Sequence, residues 1–237
     1  MTVLILGAVM FAVLFAGFSA LGVWQVQRLA WKQELIRQVD ARIHAAPVAA
    51  PAPDQTITRQ ADQYRRVVVS GRFDHSREVL VKAVTDLGPG YWVMTPLTTD
   101  RGFTALINRG FVPFERQKPT DRAAGQVEGE TTVVGLLRLT EPDGGFLRAN
   151  DPAGDRWFSR DVAGIAKARG LSGPVAPYFI DADATPNPGG WPWGGLTVVR
   201  FANSHLIYAL TWFGLALMSA AGFVLFAREE KRRRAAR

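Results

Sequence analysis

A chain of 237 residues with 28 Lys and Arg against 21 Asp and Glu carries a formal charge of +7, and it contains no cysteine. Without thiols there is no CxxC redox pair, thiolate zinc site, thiol nucleophile or thiolate copper relay, and an exported domain must be stable without disulfides. The last ten residues, REEKRRRAAR, hold six basic and two acidic groups, leaving 22 basic against 19 acidic elsewhere, so the excess reads as a topology signal and a contact with anionic lipid rather than nucleic-acid binding.

Residues 2–26, TVLILGAVMFAVLFAGFSALGVWQV, contain no charge and exceed the roughly 20 apolar residues needed to cross about 30 Å of hydrocarbon. A cleavable signal peptide has a basic start and an apolar core of only about 7 to 15 residues, so this segment is predicted to stay attached as a span. Beyond Trp24 the residues Arg28, Trp31, Leu35, Ile36 and Val39 continue one helical face and Lys32, Glu34, Arg37 and Asp40 another, which extends the helix as a stalk over 2–43. The run HAAPVAAPAP then opens an Ala/Pro-rich linker, 44–63, predicted to be extended and semi-rigid.

From 64 to 203 the sequence breaks into short β-type runs between Gly, Pro and Asp. These are YRRVVVSGRF (64–73), EVLVKAV (78–84), YWVMTPLTT (91–99), FTALINRGFV (103–112), TTVVGLLRLT (131–140), PYFIDAD (177–183) and GLTVVRF (195–201). Connections this short favour antiparallel neighbours. One helix is predicted, with Ser159 as cap, Asp161 in the first turn, Val162, Ile165 and Ala166 on one face, and Gly170 as the stop. A second charge-free span occupies 204–227 and ends at Arg228, where the basic tail 228–237 begins. Lys and Arg flanking a span are retained in the cytoplasm, so both termini are expected there and the central domain across the membrane. The predicted fold is a membrane protein of α+β class: a two-helix transmembrane hairpin bearing one β-rich, mainly antiparallel exported domain.

Of the three histidines, His44 in the linker and His75 in the turn FDHSRE read as solvated surface residues. His205 follows the capping residues Asn203 and Ser204 and opens the second span, which places its imidazole at the outer membrane boundary. It shares a helical stripe with Ala209, Ala216 and Ala220, and Ala12, Ala16 and Ala20 on the first span offer a matching row of small residues for close packing. Trp24, Tyr208 and Trp212 lie at about the same depth, with Arg28 and Arg200 at the wet rim. An imidazole, aromatic walls and guanidinium groups suit a porphyrin as axial ligand, ring pocket and propionate partners; they equally describe ordinary helix packing, an aromatic belt and stop-transfer charges.

Asp181 and Asp183 are spaced like a metal pair but precede the turn-rich TPNPGGWPWGG, and read as caps or solvated ends. Trp191 and Trp193 in that loop are placed to touch the membrane surface. The run GPGY (88–91) lacks the lysine and helix of a phosphate loop, and Ser204 beside His205 has no third partner, so no enzyme activity is expected.

The opening motif GVWQVQRLAWKQELI, the strand GYWVMTPL, the turn INRGFVP, the stretch GLLRLTEPDGGFLRANDPAGDRWFSRDV, the segment PYFIDADATPNPGGWPWGGLTVVRFANSHLIYALTWF and the basic tail together resemble the Surfeit locus protein 1 family. The likeness runs in order over nearly the whole chain. It implies a membrane-bound assembly factor for haem-copper cytochrome c oxidase, of bacterial type, that binds haem a as cargo and assists its insertion into the oxidase catalytic subunit. His205, in NSHLIYALTWF, matches the family histidine thought to contribute to haem binding and is the expected ligand of the haem iron. In that reading Trp24, Tyr208 and Trp212 hold the ring between the helices, Arg28 and Arg200 attract the propionates, and the farnesyl tail lies in membrane lipid. The haem a synthesis machinery is a further candidate partner. A cofactor-free scaffold for the nascent oxidase subunit, contacting it through GGFLRANDPAGDRW and PNPGGWPWGG, is the alternative. No transit peptide is read in the sequence, which points to a bacterial inner membrane with the domain in the periplasm.

Overall fold

The computed structural model describes residues 2–145, 147–199 and 201–236. The chain divides into two compact units, Met1–Gln38 with Arg200–Arg237, and Val39–Val199.

The first unit is built from two long helices, α1 (Thr2–His44) and α4 (His205–Ala235), both long and apolar enough to cross a membrane. They lie antiparallel, and aromatic rings of each enter glycine notches of the other. A Cβ on Gly22 would stand 2.6 Å from the Phe213 ring, one on Gly222 would stand 2.9 Å from Phe11, and Gly7 is closed over by Phe226 in the same way. Phe11 also meets Phe223 and Phe226, each at 6.1 Å between ring centroids. The seam on α1 is therefore Gly7, Phe11, Phe18, Gly22 and Gln25, a run of three- and four-residue steps and their sum. The expected alanine row does not form it: Ala12, Ala16 and Ala20 are exposed, while Ala209 and Ala216 on α4 are buried as predicted and Ala220 is not. Glycine admits a whole ring where alanine admits only another small side chain. Neither helix breaks at its charged end. α1 continues through the predicted stalk to His44, and α4 runs on through the basic tail.

The second unit is a closed sheet with two flanking strands. Its strands are β1 (Val48–Ala49), β2 (Arg66–Phe73), β3 (Val79–Thr85), β4 (Gly88–Thr99), β5 (Thr104–Pro113), β6 (Glu130–Leu139) and β7 (Val175–Ala182), in the order β1-β2-β6-β7-β5-β4-β3. A further pairing of β2 with β4, from Gly71–Thr99 to Phe73–Leu97, closes β2, β6, β7, β5 and β4 into a ring. At the closure the β4 backbone crosses directly over Gly71, so that a Cβ there would collide with the Thr98 carbonyl. Five of the seven pairings are antiparallel; β1–β2 and β5–β7 are parallel. Val67, Val69, Leu97, Ala105, Ile107, Leu137, Tyr178 and Ile180 fill the inside. Alternate residues Leu106 and Phe179 point outward to a second core with Val79, Val81, Met94, Trp157 and Ile165. β5 is consequently buried on both faces, each large apolar side chain contributing about 1.5–3 kcal/mol.

Four local expectations are corrected. The predicted strand 195–201 is irregular over its described residues, 195–199 and 201, and Thr197 is held by a side chain of the sheet rather than by a ladder of backbone bonds. The short helix α3 (Val162–Ala168) is capped by Asp161, whose carboxylate accepts from the Gly164 amide at 3.1 Å; Ser159 instead accepts from Gly144 and Asn150. The Ala/Pro-rich segment, expected to be extended and semi-rigid, is not extended throughout. It pairs through β1, includes the short helix α2 (Arg59–Asp62), and is clamped where Arg101 donates to the Ala50 carbonyl at 2.6 Å and the buried Tyr178 hydroxyl donates to Pro51. His75 is half-buried, its Nε2 donating to the Val127 carbonyl at 2.9 Å and its ring 5.5 Å from Phe73.

Candidate functional site

His205 is the first residue of α4, preceded by Ser204, which occupies the cap position without a side-chain capping bond. The imidazole turns onto α1: Nδ1 lies 2.7 Å from Oε1 of Gln25, a residue only 8% exposed. A carbonyl oxygen can only accept, so in this arrangement Nδ1 is the donor. Among the described residues no hydrogen bond engages Nε2, and no group of three or more His, Asp or Glu stands ready to hold a metal ion. The donor set this end of the helix pair could offer to iron is a single imidazole nitrogen, which fits single axial ligation.

The residues expected around it divide. Trp212 is half-buried and stacks on Phe18 at 5.8 Å between centroids, so it belongs to the seam. Trp24 and Tyr208 do not face the seam; they are 51% and 53% exposed on the outer faces of the pair. At 100° per residue Trp24 is turned about 200° from Gly22, and Tyr208 about 100° from the buried Ala209. Within the seam Phe213 packs against Gly22 and Trp212 against Phe18. Arg28 is exposed and rests its guanidinium 4.6 Å above the Trp31 ring. Arg200 lies outside the described residues. Two further residues lie on this side of α1. Gln25 and Lys32 share one helical stripe, and Lys32 places its ammonium 5.3 Å over the Phe201 ring. The signal for Gln25 was present as the first amide in an otherwise apolar segment.

In the β-rich unit a second polar constellation centres on Asp181, which is 2% exposed and not the solvated turn residue expected. Its Oδ1 accepts from Asn108 at 2.7 Å and Arg160 at 3.2 Å; its Oδ2 accepts from Arg138 at 2.7 Å and Thr197 at 2.9 Å. Arg160 also binds Glu141 through two nitrogens. Burial alone would lower the Arg160 pKa, but the facing Asp181 and Glu141 carboxylates outweigh it and hold the guanidinium above its ordinary value. The group floors a cleft of about 540 Å³ with Trp92, Val84 and Val198 also on its walls. Since both carboxylate oxygens are occupied, Asp181 serves to tether the segment around Thr197 to the sheet and has no capacity left for a cation.

The turn INRGFVP explains the neighbouring loop. Asn108 accepts the Gly110 amide while donating to Asp181, and Arg109 donates to the Gly125 carbonyl and to Asn187. Phe111 exchanges backbone hydrogen bonds with Trp193, each 2.9 Å. Gly110 adopts φ 128°, and the Trp193 carbonyl lies where a side chain would begin. Burial lowers the Arg109 pKa to about 10, with Arg122 adding to the shift against the opposing pull of Glu78. The side chain of Asp183, two residues from Asp181, accepts the Thr185 amide at 3.0 Å.

Comparison with known proteins covers both units. The sequence profile of the SURF1 family matches residues 12–217, a range that includes Gln25, the INRGFVP turn, Asp181 and His205. Surfeit locus protein 1 of Rattus norvegicus is 39% identical over 228 residues, covering 90% of this chain and 72% of that protein. The Mus musculus protein of the same name is 40% identical over 225 residues, covering 88% and 72%. A SURF1-like protein of Drosophila melanogaster is 34% identical over 231 residues, covering 90% and 74%. A family match over residues 12–217, together with relatives 34–40% identical across 88–90% of the chain, establishes the chain as a member of the SURF1 family.

Proposed function

We propose that this SURF1-family chain is a membrane-bound assembly factor for haem-copper cytochrome c oxidase, which binds haem a as cargo at His205 and assists its insertion into the catalytic subunit. It works in a bacterial inner membrane with both termini cytoplasmic and the β-rich domain periplasmic, oriented by the basic tail. The observation that carries the cargo reading is the His205 imidazole held by Gln25 through Nδ1, with the nitrogen suited to iron left available. The filled seam supports binding on the outer face of the helix pair, where Tyr208 and Trp24 are exposed, rather than between the helices. Arg28 and Lys32 supply cations near the α1 end of the seam for carboxylate side chains of the cargo. A single protein ligand on a lipid-open face favours release, which delivery requires.

The test is reconstitution of the purified full-length protein with haem a. His205→Ala is expected to lose the ligated Soret spectrum and one-to-one stoichiometry; an unchanged spectrum and stoichiometry remove His205 from the site. One observation favours the second reading, a cofactor-free scaffold: rings fill the notches at Gly7, Gly22 and Gly222 along the seam, and the loop around Trp193 is pre-ordered with that ring 51% exposed as a contact surface. Protein that purifies colourless from cells making haem a supports the scaffold.

A further inference from the structure

The hydrogen bond between the two helices specifies more than packing. A lone imidazole has two neutral forms, and free histidine favours the one protonated at Nε2, which leaves that nitrogen no lone pair for a metal. We propose that Gln25 is a positioning residue that holds His205 in the opposite form, with the proton on Nδ1, and so prepares Nε2 as a ligand; this rests on the cargo reading above. The geometry has the required parts. The Oε1–Nδ1 separation of 2.7 Å is that of a good hydrogen bond, and Gln25 is nearly fully buried, so little water competes for the amide. Its seam neighbours fix its height: Gly22, one turn back on α1, is filled by the Phe213 ring. Both partners are helical residues, which places the acceptor more rigidly than a loop would. The reverse pairing, amide nitrogen donating to a bare Nδ1, would put the imidazole proton on Nε2 and close the site to iron. The orientation of one amide therefore decides whether His205 can serve.

Two measurements on the full-length protein in lipid nanodiscs or detergent test this, and the first needs no haem. With 15N-labelled histidine, the His205 signals, assigned by their loss in His205→Ala, are expected to show a protonated Nδ1 and an unprotonated Nε2. Gln25→Leu, close in size and a good helix former, is expected to move the population toward the Nε2-protonated form, and Gln25→Glu to restore the wild-type form. A wild-type ring protonated at Nε2, or a Gln25→Leu protein with the wild-type pattern, overturns the proposal. In the second, haem a affinity is expected to fall about 10- to 100-fold in Gln25→Leu, with a lowered iron–histidine stretching frequency in the reduced protein. Gln25→Glu is expected to recover affinity and raise that frequency. Unchanged affinity and stretch in Gln25→Leu while His205→Ala loses ligation overturns the role of Gln25 alone. Normal ligation in His205→Ala overturns the cargo reading and this proposal together.

Discussion

Asp181 and Asp183 stand two residues apart in the same short stretch, yet the structure gives them opposite weights, and substituting each in turn measures the difference. Asp181→Ala removes a buried carboxylate with four donors directed at it. Breaking one side of a buried ion pair costs about 3–5 kcal/mol. Glu141 still engages Arg160 through two nitrogens and lies 3.6 Å from Arg138, so neither guanidinium is wholly stranded. The lower end of the range, about 3 kcal/mol, is therefore expected. For a domain of this size that corresponds to a fall of about 6–12 °C in Tm, followed by near-ultraviolet circular dichroism of the full-length protein in detergent. Asp183→Ala loses one exposed-side hydrogen bond and is expected to cost about 1 kcal/mol or less. Asp181→Asn separates charge from shape: the amide presents N–H groups toward donors, so it is expected to destabilise nearly as much as alanine. A melting curve for Asp181→Ala within 2 °C of the wild type, or an Asp181→Asn protein as stable as wild type, would refute the assignment of this residue as a charged tether.

Two further outcomes follow from the same domain. Burial pushes the Tyr178 pKa up, so between pH 10 and 11 the folded chain keeps a proton that the unfolded chain has released. Its contribution is therefore complete below about pH 10 and is lost above it at about 1.4 kcal/mol per pH unit; Tyr178→Phe is expected to remove that slope in urea unfolding while costing about 1 kcal/mol at neutral pH. Gly110→Ala, at φ 128° against the Trp193 carbonyl, is expected to cost about 3 kcal/mol and to shift tryptophan emission, whereas Gly102→Ala, at φ 81° facing open space, is expected to cost about 1 kcal/mol by the same melt.

Much of the architecture could be read from the sequence because it depends on local signals. Absence of charge over residues 2–26 and 204–227 marks the two long helices, and alternation marks six of the seven proposed strands. The misplaced strand 195–201 has the right composition, but it is held by Thr197 on Asp181, a contact no local pattern encodes. The role of Asp181 was hidden for the same reason, since its partners lie 73, 43, 21 and 16 positions away in the chain. In the helix pair the error was one of phase. Spacing of three and four fits Ala12, Ala16 and Ala20 as well as Phe11, Phe18, Gly22 and Gln25, and only complementary shapes on the opposite helix choose between them. Trp24 was selected for its depth, which sequence position gives, while its direction depends on which stripe faces α4.

The exchange of rings and notches runs both ways, and this opposes a slide of one helix along the other. A shift of one helical turn, about 5.4 Å, would carry Phe213 from Gly22 onto Phe18 or Val26, and Phe11 from Gly222 onto Met218 or Phe226. Each alternative replaces an empty notch with a bulky side chain. The pair is keyed axially, like two combs that mesh best in one position. On the proposed cargo reading, handover at the His205 end would then proceed by side-chain movement or by lateral exchange through lipid, with the helical frame left standing.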